Sequence, residues 1–430
     1  MSKRRVVITG IGSVSPCGVG IDALWGSIAH NNSGISTPQE GDVSSLPLHA
    51  AGYVRDFKPR EYVKNRKSLK VMCRDIQMAV AASSMARADA NLGEDAIDAN
   101  RSGVCIGAGL FEHDPEEMAD SFKAAWSEKN PFDNVQFGAE GMGQLFPLWL
   151  LKYLPNMPAC HITINHNLRG PSNTLTADSS GSAAAIEESF RIIQRGTADL
   201  MFCGGAESRL LSSGLLRLHS MGLLKKGSPG DIDYSVFSED ASGLVFGEGG
   251  TILILEELEA AQKRNAKIYA EIKSVFASGD YNPDADAATG SENKAYAMKS
   301  VIGKAGLDAD AIGSLHLSAR GILNEDQSEA NAIEEVFGSV NTKPSLVSTK
   351  TITSFMGYAA APTELAIAAK ALHLKKVVPA NIGPKPLLQN GYVYADKGVD
   401  LSSEANVMVN HFESNLSNHS FVLASVGDLS

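Results

Sequence analysis

The sequence predicts an α/β protein that is large enough to form two domain-sized halves. Its 430 residues are 43% hydrophobic and include 40 glycines, which suits a large buried core connected by many tight turns. Short β-branched segments ending in glycine alternate with longer segments rich in alanine and methionine. This alternation of strand and helix patterns is typical of a compact α/β protein.

The first part of the chain follows this alternation. Residues 6–12 predict a buried strand, followed by a Gly/Pro/Ser loop and a short helix around Trp25. Residues 68–92 predict a helix, and residues 103–107 predict another strand that ends in glycine. Residues 110–155 are the least regular stretch, because acidic and bulky apolar side chains are mixed there without a clear period.

The stretch from residue 170 to 185, G-P-S-N-T-L-T-A-D-S-S-G-S-A-A-A, predicts a strand, a tight turn and a helix in quick succession. The strand is expected at 173–177 and the helix at 182–194. Such an elbow directs Asp178 at a helix N-terminus, where free N–H groups and the helix dipole favour an anion. We therefore expect the Asp178 carboxylate to cap this helix.

The remaining chain repeats the pattern of strands and helices. Residues 199–207 predict a strand, and residues 243–257 predict a glycine turn followed by a strong strand. A helix is expected to about Lys267, after which residues 268–278 begin a second α/β series.

Charge and composition exclude several classes of function. The formal net charge of −11 argues against a nucleic-acid partner, and no Lys/Arg-rich face is evident in the sequence. The same charge disfavours an acidic partner unless a local basic patch exists. Nothing approaches the ~20 apolar residues of a membrane span, and the N-terminus reads as a strand rather than a signal peptide. We expect a soluble, cytoplasmic protein with no membrane partner.

The cysteines predict no metal or disulfide chemistry. Five are scattered along the chain without C-x-x-C spacing, which favours small buried thiols in a reducing compartment: Cys17, Cys73, Cys105, Cys160 and Cys203. No pattern in the sequence indicates a cofactor, so none is expected.

Several of these segments together resemble the β-ketoacyl-acyl-carrier-protein synthases, thiolase-fold enzymes that condense acyl chains. The family's elbow reads roughly G-P-S…T-A-C-[AST]-S-G, and its opening reads V-V-I-T-G-x-G followed by P-x-G. The resemblance runs along essentially the whole chain and is densest at residues 4–20, 156–205, 243–257 and 348–380. It implies a five-layered αβαβα fold made of two similar halves, 1–257 and 258–430, with a dimer and tunnel insertion at 110–157.

The residue aligned with the family's nucleophilic cysteine is Asp178. A carboxylate could attack a thioester only to form a mixed anhydride that water destroys, so it is a poor replacement for a thiolate. Ser179 and Ser180 carry hydroxyls, but the family also has small residues at these positions, and a nucleophilic role for either is the less favoured alternative.

The family's other catalytic positions are also altered. The two donor histidines fall on Ser318 and Phe355, and His316, two residues from the first position, fits better as a core histidine. The retained Lys350 and Glu364 are then fold-supporting ionic groups rather than catalytic ones. The oxyanion and gating loop, G-F-G-G-T-N in active relatives, reads E-S-N-L-S-N here at 413–418, which places a carboxylate where an oxyanion would form.

A family scaffold without its catalytic groups implies a partner that has them. The resemblance points to the chain-length factor of type II polyketide synthases, an inactive subunit that forms a pseudo-symmetric heterodimer with an active ketosynthase. Acyl carrier protein would be bound mainly through that partner. The candidates for lining the acyl tunnel at the interface are Leu110, Phe111, His113, Leu148 and Trp149, with ordinary core packing as the plain alternative.

Two enzymatic alternatives remain open at this point. A decarboxylase with glutamine at the cysteine position keeps both histidines, so Ser318 and Phe355 argue against that activity. A new acyl-thioester chemistry would use Asp178 as a general base. Chain-length factors of the family often carry glutamine at this position, so Asp178 indicates a divergent branch of unknown product class.

Overall fold

The computed structural model describes residues 4–38, 48–93, 96–109, 111–228, 230–279, 290–389, 391–394, 405–413 and 417–426. The strands are β1 (Val6–Ser15), β2 (Gly18–Val19), β3 (Ile35–Ser36), β4 (Ala51–Gly52), β5 (Ser102–Gly107), β6 (Ser172–Leu175), β7 (Leu200–Glu207), β8 (Gly249–Glu257), β9 (Ala270–Gly279), β10 (Ile312–His316), β11 (Ser345–Val347), β12 (Val393–Tyr394), β13 (Asn406–Phe412) and β14 (Ser417–Ala424). The helices are α1 (Ile21–Ala29), α2 (Arg74–Asp89), α3 (Pro115–Ala124), α4 (Asn134–Gln136), α5 (Met157–His166), α6 (Ser180–Gln194), α7 (Ser212–Ser220), α8 (Leu258–Lys263), α9 (Ser291–Ala305), α10 (Leu323–Phe337), α11 (Lys350–Thr353) and α12 (Ala360–Leu374).

The larger sheet runs continuously through both parts of the chain. Its strand order is β12-β11-β10-β13-β14-β9-β1-β8-β7-β5-β6, with β2 paired to β1, while β3 and β4 form a separate two-stranded sheet. β1 pairs with β8 along most of its length but with β9 over only three residue pairs, beginning at Val6 and Ile272. This short seam joins the sheet of the first half to that of the second.

Helices lie on both sides of each half's strands. α6 and α12 share one apolar core with β1, β7 and β8 on one side and with β9, β13 and β14 on the other. α2 and α5 pack on the outer face of the first half, and α9 and α10 pack on that of the second. The expected α/β class and five-layered order, helix-sheet-helix-sheet-helix, are therefore confirmed.

Most predicted elements are present with shifted ends. The helix predicted at 68–92 begins only at Arg74, because Met72 and Cys73 have extended backbone and residues 66–71 form a separate 3₁₀ turn. The elbow strand ends at Leu175, and its helix begins at Ser180, two residues before the predicted start. The predicted boundary between the halves, 257/258, lies where β8 meets α8.

All five cysteines are free thiols. Cys105 and Cys203 face each other across neighbouring strands β5 and β7 and are fully buried, whereas the other three are half-buried. Burial raises the pKa of the Cys17 thiol to about 11 and that of the Cys105 thiol to about 12. These thiols are therefore protonated and unreactive near neutral pH, in agreement with the prediction.

Candidate functional site

Asp178 stands at the tip of the elbow, in the left-handed region of backbone space with φ of 43°. Its backbone carbonyl accepts a hydrogen bond from the Gly181 N–H (3.0 Å), which closes the tight turn. Ser179 is the N-cap residue of α6, and no side chain caps this helix. The expected capping by the Asp178 carboxylate is therefore wrong.

The carboxylate of Asp178 is instead held by an arginine. Arg209, two residues after β7, donates from Nη2 to Asp178 Oδ1 (2.7 Å), and its Nε also pairs with Glu207. Glu207 Oε2 accepts from the Tyr358 N–H (2.9 Å). Burial raises the pKa of Glu207, and the neighbouring Arg209 only partly offsets this effect. Asp178 keeps 45% of its side chain exposed, so the pair lies at the surface of the chain.

Tyr358 fills the space beneath the elbow. A side chain at Gly109 would come within 2.6 Å of the Tyr358 hydroxyl, and one at Gly181 within 2.9 Å of its ring. These two glycines are therefore required for the ring to lie where it does. The buried ring occupies volume at the end of β5 and the start of α6, directly under Asp178.

The serines of the elbow are committed to structural contacts. The buried Ser179 hydroxyl donates to Glu413 and lies 3.0 Å from His411 Nε2. The Ser180 hydroxyl donates to the Ala177 carbonyl (2.5 Å). Burial, together with the smaller effect of nearby cations, lowers the pKa of His411 to about 3. Neither serine is accessible as a nucleophile in this arrangement.

Ser318 and Phe355, which the sequence resemblance aligns with the family's two histidines, make structural contacts. The Ser318 hydroxyl accepts from the Phe412 N–H (2.7 Å), which ties the end of β10 to β13. The Phe355 ring is buried and packs edge-on against Phe246, with ring centroids 5.8 Å apart. The cavity beside Ser318 has a volume of only about 10 Å³ and is lined largely by charged residues, so it is too small and too polar for an acyl chain.

The retained Lys350 and Glu364 form a buried ionic group. Lys350 Nζ donates to the Leu317 carbonyl (2.8 Å) and lies 3.4 Å from Glu364 Oε1. His316 Nδ1 lies 3.1 Å from the other Glu364 oxygen. Although burial by itself would raise the pKa of Glu364, Lys350 and His316 lower it to about 2. The interpretation of His316 as a satisfied core histidine is confirmed.

A second arginine, Arg320, spans the space between the altered positions. Its guanidinium pairs with Glu413 (2.8 Å) and Glu325 (2.7 Å) and lies 5.1 Å from the centroid of the Phe355 ring. Burial raises the pKa of Glu413, while Arg320 opposes the shift. Of the loop at 413–418, residues 414–416 lie outside the described residues.

Three residues of the site were not predicted from the sequence: Arg209, Arg320 and His411. Each arginine neutralises a carboxylate at an altered position, Arg209 at Asp178 and Arg320 at Glu413. The sequence did contain one signal for the arginines: Asp178 and Glu413 are acids where the family has none, and a buried carboxylate requires a cationic partner. Nothing in the spacing of the sequence, however, shows which arginine meets which acid.

The five tunnel candidates occupy different environments. Leu110 lies outside the described residues, and Phe111 is buried in the core beneath α2 and α5. His113 stacks on Trp149 with ring centroids 5.0 Å apart, whereas Leu148 is half-exposed. Phe111 fits ordinary core packing, the alternative to tunnel lining. His113 and Trp149 form a half-buried aromatic pair.

Among the residues that the structure describes, the first half has one strand edge without a partner strand and many exposed apolar side chains. β6 is the terminal strand of the large sheet, and its first two residues are exposed. Large apolar side chains are exposed on α5, in α7 and within the 115–150 segment: Phe122, Trp126, Val135, Met142, Phe146, Leu148, Leu150, Ile164, Leu216 and Met221. Soluble proteins seldom leave such an edge and such a patch uncovered.

A basic segment corrects the impression that the chain has no Lys/Arg-rich face. Residues 55–74 contain eight basic and two acidic side chains in a chain whose net charge is −11. All eight basic residues are exposed there: Arg55, Lys58, Arg60, Lys64, Arg66, Lys67, Lys70 and Arg74. We call residues 55–74 the basic segment. Its short 3₁₀ turns break up any helical period, which is why the cluster was not evident from pattern alone.

Two searches of the described part of the chain gave no candidates. No helix there is long and apolar enough to cross a membrane. No group of three or more His, Cys, Asp or Glu side chains in those same residues is arranged to hold a metal ion.

Family models match most of the chain. Residues 3–261 match the model described as "Beta-ketoacyl synthase, N-terminal domain", and residues 269–383 match "Beta-ketoacyl synthase, C-terminal domain". A 3-oxoacyl-[acyl-carrier-protein] synthase 2 of Vibrio cholerae is 31% identical, over 89% of each chain. The protein of the same name from Coxiella burnetii is 30% identical, over the full length of both chains.

Solved structures share the fold along almost the whole chain. "The ishigamide ketosynthase/chain length factor" superposes with a TM-score of 0.83 at 22% identity, covering 99% of this chain and 100% of that one. A type II polyketide synthase carrier protein in complex with its ketosynthase, AntDE:AntF, includes a chain with a TM-score of 0.79 at 22% identity, covering 99% and 100%. The expected thiolase-like fold is therefore confirmed.

Proposed function

Because the chain belongs to the β-ketoacyl synthase family, we propose that it is a non-catalytic subunit of the chain-length-factor type. It pairs with an active ketosynthase and shapes the acyl tunnel of the pair while that partner extends chains with malonyl units. The observation that carries the proposal is that Asp178, Ser318 and Phe355, which the sequence resemblance places at the family's nucleophile and histidine positions, are each engaged in structural contacts.

The magnitude of the catalytic loss supports a role without chemistry. Loss of a nucleophile costs about 10⁶ in rate, and loss of one oxyanion donor costs about 10²–10³. These losses are not additive, but even a partial sum of them leaves no useful condensation. Relatives named 3-oxoacyl-[acyl-carrier-protein] synthase 2 share the fold and about a third of the residues, so identity alone does not argue for activity here.

A partner of the same fold accounts for the uncovered surface of the first half. The open edge of β6 can pair with an equivalent edge, and the exposed apolar side chains can be buried in the same step. Two chains of one fold joined through equivalent surfaces form a closed, pseudo-two-fold pair. Asp178 and Arg209 follow β6 and β7 closely, so this contact would also cover the elbow.

The aromatic pair His113–Trp149 is our candidate for the tunnel wall. Both rings are half-buried in the isolated chain, and the Trp149 indole N–H has no hydrogen-bond partner among the described residues. A large ring at the end of a tunnel limits the length of chain that fits. Leu110, Phe111 and Leu148 remain proposed lining residues, with Phe111 acting from the core behind the wall.

The basic segment supports a direct contribution to carrier-protein binding, in addition to binding through the ketosynthase. Its exposed cations offer the local basic patch that an acidic partner requires on a chain of negative net charge. Carrier protein approaching the pair would be steered by these charges. The long-range part of this attraction weakens with salt, because the Debye length is about 8 Å at physiological ionic strength.

The deciding experiment is co-expression with an active ketosynthase and affinity capture through a tag on this chain. We expect a stoichiometric pair that extends malonyl units, whereas neither chain does so alone. Ile164→Asp, at a position 68% exposed on α5, should break the pair. Tyr296→Asp, at a position 58% exposed on α9 away from β6, is the matched control and should not.

Product length tests the tunnel role within the same pair. Trp149→Ala should lengthen the products while the condensation rate stays within about twofold, because the residue is far from the partner's chemistry. Trp126→Ala, an exposed tryptophan in the same segment, is the control. Unchanged length for Trp149→Ala would remove the gating role but leave the pairing intact.

The enzymatic alternative predicts a different outcome. A chain that turns over malonyl or acetyl thioesters without a partner would be an enzyme using Asp178, and a stable homodimer that ignores ketosynthases would point the same way. Arg209 argues against it, since the carboxylate that would act as a general base is already engaged by a guanidinium.

A further inference from the structure

A cationic groove lies at the seam between the two halves, where β1 and β9 meet. Five basic side chains line it. Arg4 and Arg5 immediately precede β1, Arg191 lies in α6, Lys273 in β9 and Lys304 in α9. The groove has a volume of about 410 Å³. We call these five side chains and the space between them the seam groove.

Three of the five cations are already paired with carboxylates. Arg4 contacts Asp199 (2.8 Å), Arg5 donates from Nε to Glu271 (2.9 Å), and Arg191 donates from Nε to Glu187 (3.0 Å). Of these acids only Glu271 lines the groove. The arginines are thus held in fixed positions by the carboxylates behind them, which leaves other N–H groups of each guanidinium for a ligand.

The two lysines supply the excess charge. Lys273 is exposed and makes no side-chain hydrogen bond or ion pair with any residue that the structure describes. Lys304 Nζ lies 4.2 Å from the centroid of the Phe276 ring and pairs with no carboxylate in that part of the chain. Five cations facing three carboxylates leave two positive charges on the rim of one concavity, in a chain whose net charge is −11.

We propose that the seam groove binds a compact phosphorylated anion with at least two negative charges. Arginine forks suit phosphate oxygens, and lysine adds mobile point charge. Such a ligand would contact Arg4, Arg5 and Arg191 from the first half together with Lys273 and Lys304 from the second. Binding therefore bridges the seam, where β1 and β9 pair over three residue pairs.

This site is separate from the elbow. Arg191 lies in the last turn of α6, and the helix begins at Ser180 beside Asp178. The fifteen residues of α6 span about 20 Å. The proposal therefore stands whether or not the chain pairs with a ketosynthase.

Calorimetric titration of the full chain with inorganic pyrophosphate, at constant ionic strength and pH 8, tests the proposal. We expect saturable binding of one pyrophosphate per chain and an increase in the thermal unfolding midpoint, because the ligand binds only the folded seam. Lys273→Glu/Lys304→Glu should weaken binding at least tenfold. Lys263→Glu/Lys376→Glu makes the same charge change at two other exposed lysines and should change affinity less than twofold.

The opposite outcomes are equally clear. Absence of saturable pyrophosphate binding would overturn the proposal, as would equal loss of affinity in the two charge-reversal pairs, which would indicate general attraction to cations. Equal binding of sulfate at the same concentration would also overturn it, because the groove would then not distinguish phosphate chemistry. Both variants change exposed side chains, and unaltered circular dichroism would verify that they fold.

Discussion

Replacement of Arg320 by methionine tests whether the former catalytic space has become a structural ion cluster. The guanidinium is 11% exposed and lies 2.8 Å from Glu413, whose side chain is 8% exposed. Methionine keeps much of the aliphatic volume but removes the guanidinium that pairs with both Glu413 and Glu325. Removing one partner of a buried pair costs about 3–5 kcal/mol of unfolding free energy. We expect a loss in this range for Arg320→Met, measured by urea unfolding at pH 7.5 and equal protein concentration.

A second variant shows how much of the destabilisation comes from the unpaired Glu413 charge and how much from lost packing. In Arg320→Met/Glu413→Gln the acid is neutral but can still accept the Ser179 hydroxyl hydrogen bond. We expect it to recover about half or more of the loss, since unpaired buried charge dominates the cost. Burial already raises the pKa of Glu413, so without Arg320 the single variant should be least destabilised at low pH and lose stability as pH rises. A loss below about 1 kcal/mol, independent of pH, would refute the reasoning.

The other predictions concern chemistry, docking and acid stability. Asp178→Cys alone should restore no malonyl decarboxylation or condensation in the isolated chain, because Ser318 and Phe355 still supply no donor; turnover of radiolabelled malonyl carrier would contradict this. Lys67→Glu/Lys70→Glu should weaken carrier-protein binding to the ketosynthase pair at least tenfold at low salt and less at 0.5 M, measured by surface plasmon resonance; unchanged affinity would remove the docking role. The pKa of the buried His411 imidazole is about 3 in the folded chain and near 6.5 in the unfolded one, so the unmodified chain should lose unfolding free energy as pH falls below about 6.5. His411→Gln should lose less unfolding free energy over the same pH range. Parallel urea-unfolding profiles for both proteins would rule out that contribution.

The sequence predicts the fold well because its strands and the elbow carry strong local signals. The apolar run of β8 and the glycine-ended strands β5 and β7 need little tertiary information, and only their ends are displaced. The helix preceding β5 was predicted too long because residues 66–71 have helical composition, while the extended backbone at Cys73 reflects packing across the chain. Local pattern does not contain such contacts.

The sequence predicted which catalytic residues of the family are missing, but it did not predict the ion pairs found at those positions. Asp178, Ser318 and Phe355 could be identified by alignment with motifs, which concern one position at a time. Asp178 pairs with Arg209, which is 31 positions away in the sequence, and Glu413 pairs with Arg320, which is 93 positions away. Long-range pairs of this kind follow from the folded topology rather than from spacing. The capping role assigned to Asp178 failed for the same reason, since a guanidinium outcompetes backbone N–H groups for a carboxylate.

The way the charges are paired also bears on function. A buried carboxylate without a cationic partner costs several kcal/mol of unfolding free energy. Here Arg209 meets the added carboxylate of Asp178, and Arg320 meets that of Glu413. Arg209 lies 5.7 Å from the Phe246 ring centroid and Arg320 lies 5.1 Å from that of Phe355, so the two arginines flank a packed aromatic pair. This assembly joins the elbow and β7 to β13 and the loop after β10.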